Sequence, residues 1–500
     1  MDKSVVRNTS PVQADAEIKP RRIYEADGKD RVLLLLTWVL GFLGVSVMAG
    51  RQLPGLGITI LTAAWYGVLL WYKGASGLRE RVNFLMLGAV LLLALTFSLY
   101  SNLWLRSWNL VFLLVLVTVQ LFQWSGQGKQ PWTSPRMVVE RFGLLLKGLF
   151  CHLPACWDAA RSYKGDRRWL AAFVGLLLAF PLFTVALLLL TNADPYFAHV
   201  VENLTIILLL LFGSSFLRLV LGLAAVPFLF GLLYALRHPE KREGKAWELP
   251  RIDALLPGVV LAVMDLLYVF FIAVQFSVLF GGTGYLEQAT GLTYAEYARG
   301  GFFQLVFVAI LNLSLSLSAL QIARLEGKDG KWLRSLSTLL ILLSGVILVS
   351  AACRMSLYVA VYGLSFKRVL TYWGMGMLGI FFLIALLKTW RKGFCCFKVL
   401  FAVSVAGWLV LNFCNVDRLV ARYNVSLYQQ NSSAMIDLEY LTDSLSYDTL
   451  DILEKLPGDT GTETGETLEA LLRERRQQAR WDAGDWETWS LSAALAAKKK

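Results

Sequence analysis

The chain has 500 residues, 56% of them hydrophobic and only 17% charged, with a formal net charge of +12. That little charge cannot cover a soluble surface of this size, so the composition excludes a soluble globular protein and indicates a polytopic membrane protein. The basic excess does not indicate nucleic acid, because Lys and Arg gather in short loops between apolar runs.

Residues 1–31 are polar and basic, and too long for the n-region of a cleavable signal peptide. They are expected to form a cytoplasmic N-terminus ahead of a retained first span at 32–49. A span takes about 20 mostly apolar residues. The pattern predicts about eleven: 32–49, 57–72, 84–100, 107–123, 169–190, 205–236, 256–280, 302–323, 335–352, 372–388 and 399–414. The run 205–236 is too long for one straight crossing. It holds Gly213, Ser214, Ser215 and Pro227, which fit a tilt, a kink or an interfacial start.

The fold class expected is therefore all-α, a polytopic integral membrane helical bundle. Its regions are a four-span part (32–123), a cytoplasmic loop (124–168), a seven-span part (169–414) and an extracytoplasmic tail (415–500). With the N-terminus inside, the inner segments carry 31 Lys plus Arg and the outer loops 6. That asymmetry predicts N-in and C-out topology. Lys367 and Arg368 on the outer face run against it.

Within the 124–168 loop, 137–150 reads as a basic amphipathic helix in the interface, with Arg141 and Lys147 off its apolar face. In the tail, 433–457 has helical periodicity and 467–480 reads as a second amphipathic helix. The terminal AALAAKKK is expected to fray. Cys353 and Cys414 both fall near outer span ends, where a disulfide is topologically allowed. Cys151, His152 and Cys156 are too sparse for a zinc site.

Polar residues near or inside the spans are the site candidates. In GLTYAEYARGGFFQL (291–305), Thr293 and Glu296 have capping-box spacing, and Leu292 and Tyr297 the spacing of a hydrophobic staple. Arg299, followed by Gly300 and Gly301, is left over by that reading. The loop TNADPYFAHVVENL (191–204) lies on the same outer side, lacks Lys and Arg, and holds Asp194 and His199. Asp194-Pro195 favours a turn that opens a helix. If spans five to eight pack together, Asp194, His199, Glu296 and Arg299 form an outward-facing pocket. Each also has a plain structural reading, as a cap or a solvated loop residue.

Inside the spans stand Arg218, Asp265 and Gln275. Intramembrane charges are expensive and usually face a bundle interior or a cavity. A direct Arg218–Asp265 pair would need a kink, since helix rise puts the two at different depths, and Gln275 lies nearer to Arg218. In LNLSLSLSAL (311–320) the alternate polar groups are expected on a helix, as packing contacts. No Walker A, G-x-S-x-G or H-E-x-x-H occurs, so no cofactor, metal or catalytic residue is assigned.

The stretch Thr293, Tyr294, Glu296, Tyr297, Arg299, Gly301 and Phe302 resembles the Thr-Tyr-x-Glu-Tyr-x-Arg-x-Gly-Phe pattern of a bacterial multi-pass membrane protein family catalogued only as a domain of unknown function. Ala193, Asp194 and Phe197 match its Ala-Asp-x-x-Phe element, and Asn415, Asp417, Tyr423 and Asn424 its Asn-x-Asp … Tyr-Asn element. The resemblance covers roughly residues 170–450 and implies an integral membrane protein of the bacterial envelope, with no activity attached; the location expected here is the bacterial inner membrane. Two roles are expected of such a chain. One is transport or handling of lipid or envelope components through the outward pocket. The other is a non-catalytic scaffold or sensor whose tail and loops bind an envelope protein. Membrane lipids are the expected partners in both, and nucleic acid in neither.

Overall fold

The computed structural model describes residues 27–50, 53–128, 130–132, 134–161, 179, 182–183, 185–239, 251–280, 302–391, 393–430, 436–457 and 467–498. No β-strand is present among them. In chain order the helices are α1 (Gly28–Met48), α2 (Leu56–Lys73), α3 (Arg81–Leu99), α4 (Leu103–Trp124), α5 (Arg136–Cys151), α6 (Leu153–Arg161) and α7 (Pro195–Arg237). Then follow α8 (Leu255–Phe280), α9 (Phe302–Ile322), α10 (Gly327–Tyr362), α11 (Phe366–Trp390), α12 (Cys396–Phe413) and α13 (Val416–Gln430). The tail adds α14 (Leu450–Leu453), α15 (Leu468–Gly484) and α16 (Leu491–Lys498).

Helix is the one local structure that satisfies every backbone group of a long apolar run within the run itself. The sequence supplies the starts. Asp27 and Asp30 form a capping box on α1, Asn102 accepts from the Leu105 amide at 2.7 Å to open α4, and Asp194 accepts from the Tyr196 amide at 2.8 Å to open α7, with Pro195 next. Among the described residues, nine helical stretches are long and apolar enough to cross a membrane. Leu85, Leu266, Phe303, Phe307 and Leu383 point outward from them, as lipid-facing side chains do. The protein is a helical multi-pass membrane protein.

Two of the eleven expected spans are not among the nine. At 57–72 a helix forms, but Trp65, Tyr66, Trp71 and Tyr72 dilute its apolar character. Most of 169–190 lies outside the described residues, as do residues 1–26. The run 205–236 belongs to a continuous 43-residue helix with Pro227 inside, roughly 64 Å long. Its stretch 217–237 is the candidate crossing.

Two cores organise the bundle. The first joins α1–α6, the C-terminal part of α7, α12, α13 and the tail. Its closest approach is α1 against α7. A Cβ on Gly222 would lie 2.6 Å from the Phe42 amide nitrogen, and one on Gly41 would strike the Gly222 carbonyl. Small residues there let two backbones touch. The second core joins α8, α9, α10 and α11. Ile252 and Ala323 pair as a parallel backbone bridge at its base, and the Trp332 ring fills the space above Gly258. Helix α11 takes part in both cores, through Phe366 in the first and Met375, Leu378 and Phe382 in the second.

Three sequence expectations change, and one allowed disulfide does not form. Arg141 is buried on the inner face of α5 with Met137, Leu144 and Gly148, and donates to Gln123 Oε1 at 2.9 Å. Val139, Leu146 and Phe150 face outward instead. On the inner face Gln123 offers the guanidinium an acceptor, so the polar side chain packs inward beside apolar neighbours instead of lying off their face. Cys353 and Cys414 are both free and exposed, with no disulfide. The first tail segment is broken into a π-turn (Tyr440–Ser444), a 3-10 turn (Tyr447–Thr449) and the single turn of α14. Finally, AALAAKKK does not fray throughout, because α16 buries Ser492, Ala493 and Ala496.

Candidate functional site

The tail closes one end of the first core. Backbone pairing anchors it, with the Gly55 and Leu56 amides donating to the carbonyls of Glu487 and Trp489, both at 2.8 Å. Ser101 Oγ accepts from the Tyr447 amide at 3.2 Å and sits 3.0 Å from Ser492 Oγ. Asn415, at φ 46, turns the chain from α12 into α13, a left-handed conformation that Asn tolerates. That turn delivers Asp417 to the centre of the junction. Its Oδ2 accepts from Asn102 Nδ2 at 2.7 Å and from the Ser446 amide at 2.9 Å. Tyr447 donates its hydroxyl to Asp482 at 2.7 Å. Burial pushes the carboxyls of Asp417, Asp448 and Asp482 above the usual range, against hydrogen bonds that pull each back.

Arginines hold the same end. Arg106 lies in the first turn of α4 and is buried. It donates to the carbonyls of Tyr100 at 3.0 Å and Phe97 at 2.9 Å, completing the exposed carbonyl end of α3. Beneath it Asn109 donates to Asn412 Oδ1 at 2.6 Å and accepts from Trp408 Nε1 at 2.8 Å, tying α4 to α12. Arg218 pairs with Glu487 of the tail at 2.5 Å.

The sequence candidates fall as follows. Asp194 and His199 are exposed and bonded within their own helix, Asp194 as the α7 cap and His199 to Asn203 at 3.1 Å. Glu296 and Arg299 lie outside the described residues, with the whole of 281–301. Arg218 does not meet Asp265. The two belong to different cores, and Glu487 takes the place the sequence offered to Asp265 or Gln275. Gln275 instead accepts from Ser350 Oγ at 2.8 Å, joining α8 to α10. The signals that sequence reading missed are Glu487, Asn102, Asn109 and Arg106. The first is 269 residues from its partner, and no local pattern marks such a pairing.

Asp265 is left over. It is 3% exposed, and neither carboxylate oxygen has a hydrogen-bond partner. It faces the second core, where polar rungs join α9 to α10. Ser316 and Ser337 meet hydroxyl to hydroxyl, and Asn312 Nδ2 donates to Ser344 Oγ at 2.9 Å. Asn312 and Ser316 share one face of α9, while Ser314 and Ser318 are exposed on another. No group of His, Cys, Asp and Glu among the described residues is arranged to hold a metal ion.

The model of one protein family, a domain of unknown function (DUF4153), matches residues 87–456. The chain belongs to this family. The DUF4153 match begins inside α3, well before the region that the motif resemblance covered, and ends just after α14. It therefore takes in Arg106, Arg218, Asp265 and Asp417. It leaves out α15, α16 and Glu487, so the tail partner of Arg218 is supplied by sequence beyond the DUF4153 region. No curated protein and no solved structure matches the chain.

Proposed function

We propose that the protein is a bacterial inner-membrane protein of about eleven spans, N-terminus inside and tail outside, that moves or handles a small solute or envelope component through the α8–α11 unit. Asp265 is the observation that carries this reading. A carboxylate buried in an apolar core with no partner costs several kcal/mol. It brings no structural return, whereas Arg106, Asn109, Arg218 and Asp417 all bond to neighbours and read as architecture. Intramembrane ionisable groups of this kind mark substrate or ion paths. The basic loops at the ends of the helices far from the tail support the orientation.

The test is gentle purification of wild-type and Asp265→Asn protein, followed by mass spectrometry of retained lipids and small molecules. A species retained by the wild type and lost from the variant supports the reading. Identical retained species in both, with Asp265→Asn complementing a deletion strain fully, would sink it. Reporters fused after residues 195, 245, 290 and 450 test the topology, and a cytoplasmic signal at 450 breaks the C-out assignment.

A second reading, an envelope scaffold or sensor, is supported by the docked tail. It leaves Trp481, Trp486 and Leu495 exposed, side chains suited to an envelope protein partner. Pull-down of one stoichiometric partner that depends on Trp481, with no retained small molecule, favours it.

A further inference from the structure

Two acceptors stand without donors in the same layer of the second core. Asp265 has both oxygens unpartnered, and Asn312, 1% exposed, spends its amide nitrogen on Ser344 and leaves Oδ1 unpartnered. The Ile252–Ala323 bridge sets the register. Counting helix rise from it puts Asp265 and Asn312 roughly 20 and 17 Å from that base, close to the middle of a hydrocarbon layer about 30 Å thick. Tyr268 lies one turn beyond Asp265 on α8, and its hydroxyl reaches the Asn312 side chain.

Among the described residues of α8, α9 and α10, no cation shares the layer. Helix α9 carries no Lys, Arg, His, Asp or Glu, and Asp265 is the only ionisable acid or base of α8 apart from Tyr268. On α10 the charged residues flanking this level are Arg334 and Arg354. The Gln275–Ser350 contact places residue 340 opposite Asp265, so Arg334 lies about 9 Å below and Arg354 about 21 Å above. Arg334 turns toward the Leu325 carbonyl at 3.4 Å, away from the layer.

Asp265 has two acceptor oxygens and no donor for either. A carboxyl that carries a proton becomes a donor, loses its charge and removes most of the burial cost in one step. A divalent ion would find one negative charge and too few oxygens. We propose that Asp265, with Asn312 and Tyr268 beside it, binds and exchanges a single proton at mid-membrane depth. This rests on the reading of α8–α11 as the working unit, and gives that unit a proton as its coupling ion.

The test uses the full-length protein in lipid nanodiscs and a hydrophobic carbodiimide, which modifies protonated carboxyls in apolar surroundings. Peptide mass spectrometry reads modification at residue 265 between pH 5 and 10. Asp265 is expected to be modified, with labelling falling about tenfold per pH unit on the alkaline limb and unchanged by sodium. Asp265→Asn removes the label, and Asn312→Ala moves the alkaline limb. The wild-type curve alone decides, so the result does not depend on either variant folding. No modification at Asp265 across the range, a flat pH dependence, or protection by sodium at fixed pH would each overturn the proposal. Proton binding without a retained solute keeps this site and removes the transport reading; a retained solute with an inert Asp265 does the reverse.

Discussion

Breaking the Arg218–Glu487 pair tests whether the tail is held by the bundle or merely lies on it. The side chains are 25% and 12% exposed. Removing one partner of a fully buried pair costs about 3–5 kcal/mol, because the other charge is left in a poor solvent. Arg218 keeps some access to water and can redirect its guanidinium on a flexible stem, so that figure must be discounted. We expect about 2 kcal/mol from either Arg218→Met or Glu487→Gln. The loss should appear where the tail meets α2, at the Gly55 and Leu56 amides that donate to Glu487 and Trp489. Their hydrogen exchange should quicken roughly thirtyfold for 2 kcal/mol. The double variant should cost at least about 1 kcal/mol less than the sum of the singles. Strict additivity, or unchanged exchange at Gly55 and Leu56, would refute the argument.

Three further outcomes follow from the same contacts. Gly222→Leu should destabilise the α1–α7 crossing by about 1–3 kcal/mol, read by thermal unfolding in detergent. Gly88→Ala is the matched control, since nothing lies within 4 Å of its added Cβ. Asn109→Leu strips partners from Trp408 and Asn412 and should cost about 1–2 kcal/mol in dodecyl sulfate titrations followed by Trp emission. The pH dependence of tail docking has a definite sign. Asp417, Asp448 and Asp482 titrate above their ordinary value of 3.8 when the tail is docked. Their contribution is complete below that value and is lost as pH rises through the raised ones. Protease should therefore cut the tail faster at pH 8 than at a pH just below 3.8, and a flat or inverted profile across that range would count against the buried cluster.

Much of the membrane architecture was legible because lipid imposes a simple rule. A long apolar run must become helix, and its end can announce itself through a cap such as Asp194-Pro195. What was not legible depends on contacts between distant segments. Arg218 reads as a stranded charge until Glu487 arrives from the far end of the chain. Arg106 reads as a loop residue because the apolar run begins after it, although Asn102 starts the helix four residues earlier. Arg141 reads as lying off the apolar face of 137–150, yet it packs inward with Met137 and Leu144 because Gln123, on another helix, accepts from it. Asp265 stands out in LAVMDLLYVFF at once, but that it lacks a partner emerges only when three helices are laid side by side.

The tail also has a consequence for biosynthesis. Ser101 waits for Ser492, which is 391 residues later. At ribosomal speeds of about 5–20 residues per second, that is roughly 20–80 s during which α3 and α4 sit in the bilayer with an unfinished end. Until then neither the Tyr447 amide nor the Ser492 hydroxyl has reached Ser101, and the polar groups where α3 meets α4 depend on water for the partners that the tail later supplies.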